Sequence, residues 1–405
     1  MARCVRSLPI ALVIALLSSV VSGQQPKRSG EPYRTPLLPA EQAWSVTLPS
    51  LPSAPAAMDA GAVYVPLDAV SVVDDDGEEI SKPPMLVALE RETGAERWTY
   101  PVATRHPPVV APGVVLVATD KDLQAVDPHK GEKLWSVPLG RPVRAPMIAR
   151  GSLLIVLLEG GELIAFDVAQ RKIAWRSSIG ESGEVLMTAD DHAAYLTTAG
   201  SKVLRIMLAD GSKTWDRELE GQLSEPMVDR GRLFVGSNNN LGALWSLDAE
   251  TGRTRWEWNR RGSVFGGAII GSAAAGETVF VLSKDNMLRA LSRGNGAQLW
   301  QESVGSRPIL PPQVFEGVVV VASDKPTLST FRTDADAAIS TWSGPESALL
   351  LGPPLIDEPR PLRVAIIALF QEGRIIGLRP TAMLFKDPAL APLTSLPGKE
   401  LPLER

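Results

Sequence analysis

The chain has 405 residues, enough for two or three ordinary domains, although a repeat array does not follow that rule. Its formal net charge is −5, with both signs interspersed along the sequence. This charge pattern argues against a basic nucleic-acid-binding surface and against a polybasic membrane patch.

The first 23 residues are typical of a secretory signal peptide. Arg3 and Arg6 precede the apolar run Leu8–Val21, and small residues lead to a predicted cleavage site before Gln24. The run of about 14 residues is shorter than the roughly 20 that a membrane-spanning helix needs, so cleavage is favoured over an uncleaved anchor. The sequence therefore predicts an exported protein that keeps no membrane span.

The single cysteine, Cys4, lies inside this signal. The mature chain is therefore predicted to have no disulfide, no thiolate metal site and no cysteine nucleophile. It would also have no cysteine to carry a lipid, so a lipoprotein is not expected. Residues 24–40 predict a flexible leader, and residues 383–405 form a Pro-rich C-terminal tail.

Tryptophan recurs at nearly constant intervals through the remaining residues, 41–382. The gaps between eight successive tryptophans are 54, 37, 40, 40, 41, 44 and 42 residues. A period near 40 residues indicates a four-stranded sheet that is repeated around a ring. The eight predicted blade-docking tryptophans are Trp44, Trp98, Trp135, Trp175, Trp215, Trp256, Trp300 and Trp342. Trp245 and Trp258 fall outside this rhythm and are predicted to be local packing or surface residues.

A turn motif precedes most of these tryptophans, as in Ala88–Trp98 (ALERETGAERW) and Ser246–Trp256 (SLDAETGRTRW). An Asp can bind nearby backbone N–H groups, and a Gly four residues before the Trp suits the positive φ of a bulged hairpin. The predicted turn glycines are Gly94, Gly131, Gly211, Gly252 and Gly296. Arg171 and Ala338 replace the glycine in the third and seventh copies, which predicts distorted turns there.

Short apolar runs before each motif predict the other strands, named A to D within a unit, with the Trp on strand D. Strand B is predicted at Val114–Ala118, Leu153–Leu158, Arg232–Gly236, Thr278–Leu282 and Val318–Ala322. Strand A is predicted after or at a proline, at Pro107–Val110, Ala145–Ile148, Glu225–Val228 and Leu310–Val314.

The two ends of the repeat are predicted to share one unit. Trp44 lies on a strand D, Ala43–Leu48, that has no strands A to C before it. Three strands without a strand D follow Trp342, at Leu349–Ile356, Arg363–Phe370 and Arg374–Leu378. The predicted fold is therefore all-β, an eight-bladed β-propeller of four-stranded antiparallel blades whose last blade is closed by the N-terminal strand. This closure leaves neither terminal blade with an open edge.

Few residues suggest chemistry. The acidic run 74–79 contains Asp74, Asp76 and Glu78, hard oxygen donors that could hold calcium, although a solvated loop tip is favoured. The three histidines, His106, His129 and His192, have no partner at metal-ligand spacing. The segment Ser237–Asn240 predicts a turn, and Arg260 and Arg261 predict solvated surface residues. No catalytic residue and no cofactor-binding residue are predicted.

The motif Ala-x-Asp-x-x-Thr-Gly-x-x-x-Trp resembles the docking block of the quinoprotein-type propellers over residues 40–380. Within that group, the length, predicted export, unit count and shared closing blade most resemble the outer-membrane protein assembly factor BamB. The resemblance implies a non-enzymatic scaffold that binds a barrel-inserting partner protein in the bacterial envelope. The chain departs from the family in lacking a lipid-bearing cysteine and in its short intervals of 40 and 41 residues after Trp175 and Trp215.

The expected function is a monomeric periplasmic scaffold that uses no cofactor and does not bind nucleic acid. The alternative is a propeller that binds pyrroloquinoline quinone or another small ligand and acts as a dehydrogenase. Enzymes of that class use a vicinal cysteine pair, which the mature chain lacks. A sensor ectodomain or a secreted binding module is a third possibility.

Overall fold

Eight four-stranded antiparallel sheets, the blades, form a closed ring. The computed structural model describes residues 36–73, 79–180, 183–237, 242–258, 269–315, 317–334, 338–345, 348–360 and 363–381. These residues form the eight blades and one additional two-stranded hairpin. The all-β, eight-bladed fold predicted from the sequence is confirmed. Across the described ranges, no helix is long and apolar enough to cross a membrane.

The strands of a blade pair in the order A, B, C and D. They occupy Ala57–Met58, Ala62–Leu67, Met85–Glu90 and Glu96–Pro101 in blade 1; Val109–Ala111, Val114–Ala118, Asp122–Val126 and Lys133–Pro138 in blade 2; Ile148–Arg150, Leu153–Leu158, Glu162–Asp167 and Lys172–Ser178 in blade 3; and Val185–Ala189, Ala193–Thr198, Lys202–Met207 and Lys213–Glu218 in blade 4.

The remaining blades have the same order of strands. They occupy Met227–Asp229, Arg232–Gly236, Leu244–Asp248 and Thr254–Trp258 in blade 5; Ile269–Ala275, Thr278–Ser283, Met287–Ser292 and Gln298–Ser303 in blade 6; Gln313–Phe315, Val318–Ala322, Thr327–Arg332 and Ala338–Ser343 in blade 7; and Leu355–Ile356, Ile366–Leu369, Arg374–Pro380 and Ala40–Thr47 in blade 8.

The position of a strand in its blade explains its sequence. Strands A of successive blades contact one another, so they surround the ring axis and leave strand D as the outer edge. Strands B and C are the two middle strands of a blade, and the neighbouring blades cover both of their faces. Residues such as Leu154, Ile155 and Val156 are fully buried. Because both faces are covered, a strand such as Leu153–Leu158 is continuously apolar. Strand D of blade 3 instead alternates, with Trp175 buried and Arg176 exposed.

The ring closes through the two ends of the chain. Strand Ala40–Thr47 pairs antiparallel with Arg374–Pro380, and Trp44 lies opposite Gly377. The approach is close, because a Cβ on Gly377 would lie 2.3 Å from the Trp44 ring. The predicted closure of the last blade by the N-terminal strand is confirmed.

Strand A begins two or three residues later than the sequence predicted. The prolines that were placed inside it precede it, because proline has no N–H to donate to the sheet. The observed strands are Val109–Ala111, Ile148–Arg150, Met227–Asp229 and Gln313–Phe315. In the last blade, the predicted Leu349–Ile356 is likewise shorter, Leu355–Ile356.

A hairpin that was not predicted accounts for part of the long first interval between tryptophans. Its strands, Val70–Val73 and Glu79–Lys82, pair antiparallel between strands B and C of blade 1. The candidate calcium ligands Asp74, Asp76 and Glu78 fall between these strands, outside the described residues.

Candidate functional site

Indole N–H groups connect each of five blades to the next. The acceptor is a carbonyl oxygen in the C–D turn of the following blade. Trp44 donates to Arg91 at 2.9 Å, Trp98 to Pro128 at 3.0 Å, Trp175 to Leu208 at 2.7 Å, Trp215 to Ala249 at 3.2 Å and Trp256 to Arg293 at 2.8 Å. A hydrogen bond of this kind contributes about 0.5–1.5 kcal/mol, in addition to the burial of the ring. These tryptophans therefore join neighbouring blades.

The turn glycine of the next blade lies directly against each of these rings. A Cβ added to it would be only 2.5–2.8 Å from the nearest ring atom. The backbone φ is also positive, between 70° and 75°, at Gly94, Gly131, Gly211, Gly252 and Gly296. Glycine is thus required for its backbone conformation and for the close approach of the indole.

The acidic residue of the motif organises the turn. In blade 5, the Asp248 carboxylate accepts hydrogen bonds from the guanidinium of Arg255 and from the N–H and hydroxyl of Thr251. The bond from Arg255 is the main cause that lowers the pKa of Asp248 to about 2. In blade 2, the backbone N–H groups of His129 and Lys130 likewise lower the pKa of Asp127.

The junction between blades 2 and 3 is built differently. Arg171 occupies the glycine position and has a left-handed φ of 54°, so the third turn retains the positive φ at the cost of strain. The guanidinium carbon of Arg171 lies 5.7 Å from the centroid of the Trp135 ring, which stacks on Phe166 at 5.9 Å. In blade 7, Ser340 lies opposite Thr330 beside the bulge, where six other blades place their tryptophan, and Trp342 lies two residues further along strand D, opposite Leu328. Residues 335–337 of this turn lie outside the described residues.

A surface cavity of about 410 Å³ lies at the junction between blades 2 and 3. Its walls come from the A–B turns of blades 2 and 3, strand D of blade 2 and the C–D turn of blade 3. They include Ala111, Val114, Trp135, Ala149, Leu153 and Arg171. All these turns lie on one side of the ring, called the turn face below. The cavity is therefore a mostly apolar recess in the turn face, and Arg171 is the one charged residue among its described walls.

Two buried arginines, which were not predicted, reinforce other junctions. Arg91 follows strand C of blade 1, donates to the carbonyl oxygen of Val364 and forms an ion pair with Asp357 in blade 8. Arg293 occupies the same place in blade 6 and binds the carbonyl oxygen and the carboxylate of Asp229 in blade 5. An arginine directly after strand C is the sequence signal that could have identified them.

The geometry and the turn motif agree with comparisons against known proteins. A family model described as outer membrane protein assembly factor BamB matches residues 40–179, 159–309 and 258–382, which together cover the ring.

The chain belongs to the BamB family.

Individual relatives are distant. BamB of Bordetella pertussis is 27% identical over 287 residues, which cover 65% of this chain and 70% of that protein. BamB of Shewanella oneidensis is 26% identical over 278 residues, 68% of this chain and 62% of that protein. The crystal structure of BamB from Moraxella catarrhalis superposes with a TM-score of 0.58 and 17% identity, covering 84% of this chain and 97% of that one. The last similarity shows the fold alone.

In this BamB-family chain, the three histidines take part in no metal site among the residues that the structure describes. His106 Nε2 lies 2.9 Å from the carbonyl oxygen of Val143, which joins neighbouring blades. The backbone N–H of His192 donates to Asp190. Among the described residues, no group of three or more His, Cys, Asp or Glu side chains is arranged to hold a metal ion.

The other residues singled out in the sequence have mixed positions. Trp245 is buried in the core between blades, and the Arg289 guanidinium carbon lies 5.8 Å from the Trp258 ring centroid. Ser237 directly follows strand B of blade 5 and forms an isolated bridge to Leu223. Residues 238–241 and Arg260 and Arg261 lie outside the described residues.

Proposed function

We propose that this protein is a non-enzymatic scaffold of the bacterial envelope that binds a β-barrel assembly protein at the outer membrane. The observation that carries the proposal is the match of the BamB family to residues 40–382, which coincide with the eight-bladed ring. The curated relatives from Bordetella pertussis and Shewanella oneidensis carry the name outer membrane protein assembly factor.

The outer edge of the ring suits a binding role. Each strand D is an edge strand, whose outward N–H and C=O groups can pair with an extended partner segment. Two of these edges also expose large apolar side chains, Leu134 with 47% and Leu299 with 56% of its surface accessible. Apolar groups within a polar rim are typical of protein interfaces.

Cross-linking in intact cells tests the partner. The protein, tagged at its C-terminus, is cross-linked in its host, purified from envelope extract and analysed by mass spectrometry. We expect recovery of the host's β-barrel assembly protein, with cross-links to the ring. Failure to recover it, while a known envelope complex is recovered in the same sample, would overturn the scaffold proposal.

The export step is a separate part of the proposal. Residues 1–23 would be removed before Gln24, and the mature protein would stay in the periplasm as a monomer. Mass spectrometry of the protein from a periplasmic fraction should give a mature N-terminus at Gln24. An intact N-terminus, or a protein confined to the cytoplasm, would contradict it.

The proposal also excludes quinone-dependent catalysis. Purified protein would be incubated with pyrroloquinoline quinone and calcium, desalted, and examined by absorbance and by a dye-linked dehydrogenase assay. We expect neither a retained chromophore nor activity. A stoichiometric bound quinone would replace the scaffold proposal with the dehydrogenase alternative.

A further inference from the structure

The cavity between blades 2 and 3 follows from a single departure from the repeat. At five other junctions, the indole lies on a glycine, where a Cβ would be 2.5–2.8 Å from the ring. Arg171 has a Cβ at this position, so Trp135 cannot take the same place against the turn. Both residues line the recess of about 410 Å³.

Two hydrogen-bond donors at the recess have no acceptor among the described residues. Arg171 is exposed and makes no ion pair with a described residue, in contrast to Arg176 in the same blade, which pairs with Glu162. Trp135 is the counterpart of five tryptophans that donate to a carbonyl oxygen, yet its own N–H has no described acceptor. A ligand group with negative charge would pair with the Arg171 guanidinium.

The residues that line the recess determine which chemical group could lie next to that anion. Ala111, Val114, Ala149 and Leu153 are apolar, the Trp135 ring adds an aromatic surface, and no described wall residue is acidic. A volume of this size lies within the range of about 300–1,000 Å³ that ligand pockets usually have. The recess therefore suits a large apolar group with a carboxylate next to it.

We propose that the recess binds an extended peptide segment of a partner protein in which an acidic residue adjoins a bulky apolar residue. The apolar side chain enters the recess against Trp135. The carboxylate binds the Arg171 guanidinium. The inference rests on the proposed scaffold function in one respect, which is the choice of a peptide as the ligand.

The test uses a fluorescein-labelled peptide with the sequence Asp-Leu-Phe between Gly-Ser flanks, and a second peptide with Asn in place of Asp. Binding to the purified mature protein is measured by fluorescence anisotropy. The main variant is Arg171→Gly, which introduces the residue of the five other turns and relieves the left-handed strain. It is therefore expected to fold, and circular dichroism and thermal unfolding would verify this.

Two further variants serve as a second probe and a control. Ala149→Phe fills the recess and keeps every charge. Lys172→Gln removes a neighbouring exposed cation that does not line the recess. We expect Arg171→Gly to weaken binding of the Asp peptide at least 10-fold and Ala149→Phe to abolish it, with no change for Lys172→Gln. The Asn peptide should bind wild type at least 10-fold more weakly than the Asp peptide does. Its affinity should be the same for wild type and for Arg171→Gly.

Three outcomes would overturn the proposal. The first is equal binding of the Asp peptide by wild type and the folded Arg171→Gly variant. The second is binding of decanoate, but not of the peptide, at the recess. The third is a concentration-dependent dimer that Arg171→Gly dissociates, which would assign the recess to a second copy of the chain. If the peptide test fails but the cross-linked assembly protein is recovered, the scaffold function stands and only this pocket is withdrawn.

Discussion

At the scale of single residues, a turn glycine of one blade allows the tryptophan of the preceding blade to pack against the turn. Gly131 combines a φ of 70° with a position at which a Cβ would lie 2.6 Å from the Trp98 ring. Gly113, in the A–B turn of the same blade, has a φ of 75°, but no heavy atom lies within 4 Å of the point that a Cβ would occupy. The two positions share the backbone requirement and differ in the contact.

Alanine substitutions at Gly113 and Gly131 separate the requirement for a positive φ from the requirement for close contact with the indole. Gly113→Ala should cost only the left-handed backbone penalty, about 1–2 kcal/mol. Gly131→Ala should cost that amount and about 1–3 kcal/mol more, because the Trp98 ring must move. Urea unfolding of both variants measures the difference in free energy of unfolding. Equal losses would show that the contact with the indole contributes nothing.

At the scale of strands and blades, the contacts between neighbouring blades differ from one junction to another. Trp256 is buried, donates to the Arg293 carbonyl oxygen and lies 5.8 Å from the Phe234 ring centroid. Trp135 stacks on Phe166 but is only partly buried and lines the recess. The same repeat position is thus a closed contact at one junction and an open one at another.

Truncating these two tryptophans should have unequal effects. We expect Trp256→Ala to cost about 3–5 kcal/mol, as for a buried aromatic residue. Trp256→Phe should cost less, since it retains most of the ring and loses the hydrogen bond, which contributes about 1 kcal/mol. Trp135→Ala should be the milder alanine variant. Denaturant unfolding at equilibrium measures all three, and a larger loss for Trp135→Ala than for Trp256→Ala would contradict this description of the junctions.

The sequence predicted the elements that depend on local chemistry. The apolar run Leu153–Leu158 matches strand B of blade 3 residue for residue, because continuous burial leaves a continuous apolar pattern. Strand A was predicted two or three residues too early, because the predicted ranges included the prolines before Ile148–Arg150 and Gln313–Phe315, which cannot donate to a sheet.

The sequence predicted less of the candidate site than of the fold. The departure at Arg171 was visible, but its consequence, a recess beside Trp135, depends on the separation of two blades. The ion pairs of Arg91 and Arg293 likewise join residues that are far apart in the chain. Contacts between distant segments leave no periodic pattern in one sequence, so only the three-dimensional arrangement reveals them.

For the whole molecule, ring closure is the decisive contact. Only the pairing of Ala40–Thr47 with Arg374–Pro380 completes blade 8. Without the first strand, the backbone groups on one edge of Arg374–Pro380 would lose their partners, and Gly377 would lose the Trp44 ring. An uncovered strand edge favours association with other chains.

Removal of that strand tests its role. A mature chain that lacks residues 24–48 should be cut rapidly in limited proteolysis and should self-associate in size-exclusion chromatography. The control lacks only residues 24–35 and should behave like the full mature chain. Adding a synthetic peptide of residues 38–49 should restore protease resistance to the shortened chain. Unchanged resistance and a monomeric state without the strand would show that the ring is stable without its closure.

The pairing of Thr47 with Arg374 also orders events in time. Ribosomes make the chain from its N-terminus, so the strand that completes the last blade is made first. Its partner strand, Arg374–Pro380, is made more than 300 residues later. A nascent or prematurely terminated chain cannot form this pair, however well its early blades have folded. The circle therefore becomes continuous only when almost every residue is present, which ties the durable folded state to complete translation.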